Sequence, residues 1–346
     1  MAGKTKRERR PGAVVTLKAV AEHVGFSPGT ISAVLNNAPS AKHIPLPTRN
    51  RILAAARELN YQPNFFARSL RKKRTCTLGV IVHDIGDGYG ALVVAGIENY
   101  ARQKDYFFVT GVHRHDADIF EKYAMHLLQR GVEGFITVDL NLPHSLPLPT
   151  VAVSGHGQHE GATNIVVDHR RAAELALQHL MELGHREIAV MKGHVASADA
   201  EPRWEAISQV ARELGIAIRP ELTLQIDSEE SSPKLGYPYA MELLARKQRF
   251  TALFAYNDVS AIGAIRAFQE AGLRVPADIS VLGFDDIPGA AFHYPSLTTV
   301  RQPLRRMGEI AAETLVQRIE GRKDYPQEIA VAPELIIRES TGKAAS

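Results

Sequence analysis

Residues 24–37, VGFSPGTISAVLNN, decide how this chain is read. They carry the end of one helix and the start of another, with only a few residues between. Gly25 is a stop signal, because a residue without Cβ enters the left-handed region at little steric cost. Ser27 then offers a side-chain cap, and Pro28 stands at the first helical position, where its missing N–H does no harm. Ile31, Val34 and Leu35 give this second helix an apolar face. Upstream, Thr16 is a cap for LKAVAEHV, with Leu17, Val20, Ala21 and Val24 on one side. Ala21 and Gly25 are small enough for the two helices to approach closely. Short helices at this spacing form a helix-turn-helix, whose second helix enters the major groove of DNA. Yet that helix opens with Pro28, Gly29 and Thr30, small residues where long polar ones would be expected to read bases.

Charge supports a nucleic-acid partner for this end of the chain. Residues 1–75 hold 15 Lys or Arg against 3 Asp or Glu, a net +12, whereas residues 76–346 carry a net −9. A basic head on an acidic body fits a polyanion at the head alone. A third helix is expected at TRNRILAAARELN, capped by Thr48, with Ile52, Leu53, Ala56 and Leu59 apolar. Pro63 stops it. The following stretch, NFFARSLRKKR, reads as a short helix from Asn64 that needs a partner to be stable.

Three segments in order, VTLKAVAEHVGFSPGTISAVLN, ELNYQPNFFARSL and TLGVIVHDI, resemble the lactose-repressor/galactose-repressor (LacI/GalR) family of bacterial transcription regulators. The resemblance runs from Val14 through nearly the whole chain. It implies DNA contacts from Thr16, Ser27, Pro28, Gly29, Thr30, Ser32, Ala33 and Asn36, and from Asn64, Ala67, Arg68 and Leu70 of a hinge helix. In the family that hinge folds when a dimer binds its operator, and a leucine wedges into the minor groove; Leu70 takes that place. The unstacking is offset by the wider contact that bent DNA permits. Ala33 stands where relatives with VSRVLN carry arginine, so bidentate guanine readout is missing there. Pro28 and Gly29 suit thymine methyls, while Thr30, Ser32 and Asn36 can bond phosphates or bases. The expectation is a helix that fits closely and reads little by itself, leaving specificity to DNA shape, hinge and dimer spacing. The segment NNAPSAKHIPLPTRN is longer than the family's usual loop.

From Thr77 onward short apolar strands alternate with amphipathic helices, among them TLGVIV, FFVTGV, GFITVD, EIAVMKG, ALFAYND and ISVLGFDDI. This alternation predicts α/β lobes with doubly wound parallel sheets. The resemblance implies a two-lobed, periplasmic-binding-protein-like effector domain. The expected division is a basic disordered tail at 1–13, the head at 14–63 and the hinge at 64–75. The first lobe is then 76–166 with 301–331, and the second 167–300 with 332–346. Ligands of such sheets lie beyond the carboxyl ends of the strands. By the resemblance, Asp87, Tyr89, Arg203, Asp258 and Asp285 reach a cleft between the lobes, the planar fork of Arg203 meeting paired acceptors. Asn257 is expected to organise its loop, and Asp285–Asp286 reads mainly as a structural turn. Ser231 stands near a place where some members carry an aromatic.

Several classes are excluded or disfavoured. No apolar run is long enough for a membrane helix, and the basic start lacks the apolar region of a secretory signal. Cys76 is the one cysteine. His113, His115, His156 and His159 stand at spacings too short to define a metal site, and no cofactor is implied. No GxGxxG, Walker, GxSxG or HExxH motif occurs. The reading is a cytoplasmic, non-enzymatic, ligand-responsive regulator, a repressor, binding a palindromic DNA operator as a homodimer. Its effector is a small molecule, a sugar, with a purine or nucleoside as alternative. The dimer is preferred because no heptad helix follows IIRESTGKAAS. The rivals are a solute-binding protein and an α/β enzyme using Asp258, Asp285 and Asp286.

Overall fold

The computed structural model describes residues 15–62, 69, 73–86, 88–228 and 230–345. The expected tail and the hinge residues Asn64, Ala67, Arg68 and Leu70 lie outside these, as does Asp87. The chain divides into two compact units, Met1–Thr75 and Cys76–Ser346.

In the first unit, α1 (Leu17–Val24) starts with Thr16 accepting the Ala19 N–H at 3.2 Å. It ends at Gly25, whose φ of 76° is the left-handed turn anticipated for it. Helix α2 (Pro28–Leu35) follows, capped by Ser27. Helix α3 (Leu46–Glu58) begins two residues before Thr48, which lies inside its first turn and caps nothing. Pro47 in that turn needs no N–H partner, so the helix starts at the proline pair. Val20, Ala21, Val24, Ile31, Val34, Ile52, Ala55 and Ala56 form the core of this unit. Leu53, expected inside, is exposed, and Ala55 takes the inward position. The long loop is not slack. Its Pro39–His43 segment is a 3-10 helix that buries Ala41, and Ile44 packs against the three-helix core.

The second unit contains two six-stranded sheets. The first is built from β1 (Thr77–Val82), β2 (Phe107–Val112), β3 (Phe135–Val138), β4 (Thr150–Val153), β5 (Ala162–Val167) and a late strand, β11 (Glu328–Val331). All its pairings are parallel, in the order β11-β5-β4-β3-β1-β2. Helices α4 (Gly88–Gln103), α5 (Ala117–Gln129) and α11 (Leu304–Ile319) cover it. The second sheet takes β6 (Ile188–Lys192), β7 (Thr223–Gln225), β8 (Ala252–Phe254), β9 (Ser280–Asp285), β10 (Thr298–Arg301) and β12 (Glu334–Ile336), ordered β12-β10-β9-β8-β6-β7. Only β12 is antiparallel to its neighbour. Helices α6 (His169–Glu182), α7 (Ala200–Glu213), α8 (Gly236–Ala245), α9 (Asp258–Glu270) and the short α10 (Pro288–Phe292) belong to this lobe. The chain crosses between lobes after β5, after β10 and after β11. Val167 pairs with Val331 in the first sheet, and Arg301 with Asp285 in the second. Two crossings therefore fall one residue later than expected.

Two interactions fix this architecture. Helices α4 and α11 touch backbone to backbone: a Cβ on Gly96 would sit 1.9 Å from the Arg305 carbonyl oxygen, and one on Gly308 2.1 Å from that of Val93. Only glycine permits this approach. In the second lobe, Asp258 is fully buried and joins three elements. Its Oδ1 accepts from Thr299 Oγ1 at 2.6 Å, and its Oδ2 from the Ile287 N–H at 2.8 Å. Burial, reinforced by the charge of Asp286, pushes its carboxyl up from 3.8 to about 7. Asp258 is thus directed into its own lobe and away from the cleft, contrary to the sequence expectation.

Gly308→Ala should destabilise the second unit by about 1–3 kcal/mol, the usual cost of overpacking, read as a lower midpoint in thermal or urea unfolding. Asp258 should make stability fall with rising pH. Its folded pKa is raised, so its contribution is complete below the ordinary carboxylate value and is lost as pH climbs through about 7. Thermal midpoints of wild type and Asp258→Asn, compared from pH 4.5 to 8.5, should shift steadily in favour of the variant. A pH-independent gap would contradict this.

Candidate functional sites in the head and the cleft

The start of α2 is open. Ser27, Pro28 and Gly29 are exposed, while Thr30, Ser32, Ala33 and Asn36 are half-buried. Ser27 Oγ accepts the Thr30 N–H at 3.1 Å and shares a 2.9 Å bond with Thr30 Oγ1. Asn36 Nδ2 donates back to Ser32 O at 2.8 Å and to Ser32 Oγ at 3.2 Å. The polar side chains of this face are thus held against their own helix. A Cβ on Gly29 would meet only Ser27 Oγ, at an ordinary 3.6 Å. Packing within the head does not demand glycine here, although glycine costs about 1 kcal/mol relative to alanine inside a helix. A close approach from outside the head would account for it.

The cleft lies beyond the carboxyl ends of strands from both sheets, as parallel sheets require. The first lobe contributes His83 after β1, His115 after β2, Asp139 after β3, and Tyr89 on α4. The second lobe contributes His194, Ser197 and Asp199 after β6, Ser231 after β7, Tyr256 and Asn257 after β8, and Asp285 closing β9. Arg203 enters from the first turn of α7. Of the sequence candidates, Tyr89, Arg203 and Asp285 meet here and Asp258 does not. The residue before it, Asn257, lines the cleft while capping α9 through the Ser260 N–H.

Carboxylates tie the lobes together. Asp139 Oδ1 accepts from Ser197 Oγ at 2.8 Å and from the Ala198 N–H at 2.9 Å, while its Oδ2 takes His115 Nε2 at 3.1 Å. Burial works against its charge, yet the His115 bond holds the carboxyl below its ordinary value. Asp199 Oδ1 accepts from His156 Nε2 of the first lobe at 2.7 Å and from His169 Nε2 at 3.1 Å. Its Oδ2 faces Arg203 Nη2 at 3.4 Å. Burial again opposes ionisation, but His169, His156 and Arg203 outweigh it, and this carboxyl lies well below the usual range. Asp199 precedes α7 where a carboxylate would often cap the helix; its side chain is turned to these partners and caps nothing. At the mouth, Ser231 Oγ donates to Asp84 Oδ2 at 2.6 Å.

Aromatic and cationic groups complete the walls. The Arg203 guanidinium is 5% exposed and donates to the Tyr256 carbonyl at 2.7 Å. Its Cζ lies 3.8 Å from the Phe284 ring centre and 4.6 Å from that of Tyr256, a stacked cation that has lost most of its water. Its Nε is buried and has no hydrogen-bond partner among the described residues. Tyr89 donates to Ser154 Oγ at 2.6 Å, and burial together with Asp199 and Asp139 pushes its phenol well above the ordinary value. His83 and His115 stack at 3.9 Å, and His194 lies nearly parallel to His115 at 6.0 Å. Behind them, His113 is fixed neutral: Nε2 donates to Val138 O, Nδ1 accepts the His115 N–H, and burial lowers its pKa to about 4. His159 bonds the Leu142 carbonyl. Asp285 adopts φ 114°, a strained value for a side-chain-bearing residue, and accepts from Gln302 Nε2 at 2.7 Å. Asp286 instead anchors Arg301 and Arg338. Ser197 Oγ is engaged by Asp139 and Tyr256, so no imidazole activates it as a nucleophile. The arrangement suits reversible binding of a small polar molecule.

His83, Asp139, His194, Ser197 and Asp199 were not singled out from the sequence. Their signal is positional, each following an apolar strand in VIVHD, ITVD or MKGHVASAD.

Comparison with known proteins identifies both kinds of domain. The profile described as bacterial regulatory proteins, lacI family, matches residues 16–64, and a periplasmic binding protein-like domain matches residues 177–341. The HTH-type transcriptional repressor PurR of Erwinia tasmaniensis is 34% identical over 336 residues, covering 94% of this chain and 97% of the relative. The lac repressor dimer bound to operator and the anti-inducer ONPF superposes with a TM-score of 0.84 at 29% identity, covering 95% of this chain and all of that one. The regulator CelR in complex with cellobiose gives 0.69 at 27% identity, covering 94% of this chain and 99% of that one. These relatives are transcriptional regulators and not enzymes. The chain belongs to the lacI family of bacterial regulatory proteins, and is a ligand-responsive, DNA-binding transcriptional repressor.

Proposed function

We propose that this repressor acts as a homodimer on a palindromic operator and takes a carbohydrate between its lobes. The observation that carries the reading is the set of hydrogen-bonding groups that line the cleft from both lobes. A polyhydroxy ligand offers donors and acceptors on both faces, which Asp139, Asn257 and Asp285 can accept and Arg203 Nε can donate to. The ligand-bearing CelR relative supports a sugar, and the lac repressor dimer supports two heads on one operator. In the head, Gly29 allows close approach of the duplex. Phosphate contacts from the net positive charge of residues 1–75 provide most of the affinity. The hinge residues Asn64, Ala67, Arg68 and Leu70 remain part of this proposal, with Leu70 as the wedge.

A second reading follows from the near-parallel imidazoles of His83, His115 and His194. A flat heteroaromatic ring could lie against them, so a purine base or nucleoside is the alternative effector.

The test is duplex selection from a random pool, with and without a sugar and purine panel, followed by titration of the recovered operator. A palindrome should emerge, and its affinity should fall steeply with salt. The effective ligand should change operator affinity by the same factor by which operator changes ligand affinity. Asp285→Asn should weaken that ligand about 10-fold or more, the scale of one charge-assisted hydrogen bond of ~1.5–3 kcal/mol. Salt-sensitive binding without consensus under every ligand would contradict the reading.

A further inference from the structure

The geometry points to a second occupant of this region: a divalent transition-metal ion held by His156, His169 and Asp199. His156 Nε2 and His169 Nε2 stand 2.7 and 3.1 Å from the same Asp199 oxygen, and the three donor atoms all lie within 4.8 Å of one another. A tetrahedral ion with bonds of ~2.0–2.1 Å needs ligand atoms about 3.3 Å apart. Small adjustments of three side chains therefore suffice. Two imidazoles and one carboxylate suit zinc, cobalt or nickel, whereas calcium and magnesium prefer all-oxygen shells.

Three further observations bear on this cluster. His169 is 8% exposed and Asp199 2%, so two of the three donors are already withdrawn from water where they meet. Arg203 approaches Asp199 through Oδ2, which leaves Oδ1 to the ion and fixes the plane of the carboxylate. Ligating carboxylates are commonly oriented by such a partner. Finally, Asp139, Asp199 and Asp285 at the cleft outnumber the one guanidinium of Arg203 that lines it. This surplus of negative charge can compensate a dication.

His156 comes from the loop between β4 and β5 of the first lobe, and His169 and Asp199 from the second. The full ligand set forms only when the lobes are closed, so the ion would stabilise closure. That regulatory consequence rests on the cleft being the effector site; ion binding itself does not.

The experiment is titration of the chelator-treated full chain with cobalt(II), followed by visible absorption and thermal melting. One ion per chain with an intense low-coordination spectrum is expected, together with a raised melting midpoint. His156→Gln and His169→Gln should each weaken binding by at least about 10-fold and abolish the midpoint rise, while His159→Gln and His194→Gln should leave both unchanged. If His169→Gln fails to fold, His156→Gln in its half-buried loop decides alone. Absent saturable binding, binding that survives His156→Gln, or binding lost in His194→Gln would overturn the assignment. Operator titration in chelator separates the two readings. Normal operator and effector response without cobalt binding sinks only the metal site, and cobalt binding without effector response sinks only the cleft reading.

Discussion

The carboxylates that join the two lobes are the constraint on which the effector unit depends. Burying an ionised carboxylate is costly unless its oxygens are well supplied with donors. Asp139 and Asp199 each have donors from their own lobe, His115 for the first and His169 and Arg203 for the second, and complete the set across the cleft: Ser197 and the Ala198 N–H reach Asp139, and His156 reaches Asp199. Closure therefore adds to their charge satisfaction. An occupant that bonds these groups alters the balance between closed and open lobes, and an occupant without differential contacts alters nothing. Because both carboxyls have depressed pKa values, their contribution to folding stability is present above the ordinary carboxylate range. It is lost as pH falls through their folded values.

Rigid surroundings make these few bonds effective. Each lobe is a nearly all-parallel sheet whose loops present side chains at one end. The α4–α11 contact at Gly96 and Gly308 leaves no room for sliding within the first lobe. Asp258 similarly locks the start of α9, the turn after β9 and strand β10 in the second. With both lobes stiff, a change in the cleft is expressed as movement of one lobe against the other, the hinge-type transition of two packed bodies.

The sequence made the head legible because its signals are local. A cap at Thr16, a stop at Gly25 and a Ser27–Pro28 start each act within one turn, and each is found in the structure. The alternation of strands and helices likewise conveyed the parallel sheets. The cleft was only partly legible. Tyr89, Arg203 and Asp285 were named through resemblance, but Asp139 and Asp199 become neighbours only when the strand order brings distant ends together. The Asp258 expectation failed by one residue. At the start of α9 the cap Asn257 faces the cleft, whereas the first helical residue is turned inward, and the sequence does not distinguish them. Thr48 failed for a related reason: prolines at 45 and 47 set the helix start before the threonine.

The most direct test is the distribution of distances between the lobes, measured by paired spin labels at Lys104 and Lys247 in a Cys76→Ser background. Wild type should give one narrow population at neutral pH. A chain carrying Asp139→Ala and Asp199→Ala should give a broader population with a new, open component. An identical narrow distribution in both would show that these carboxylates do not hold the lobes together.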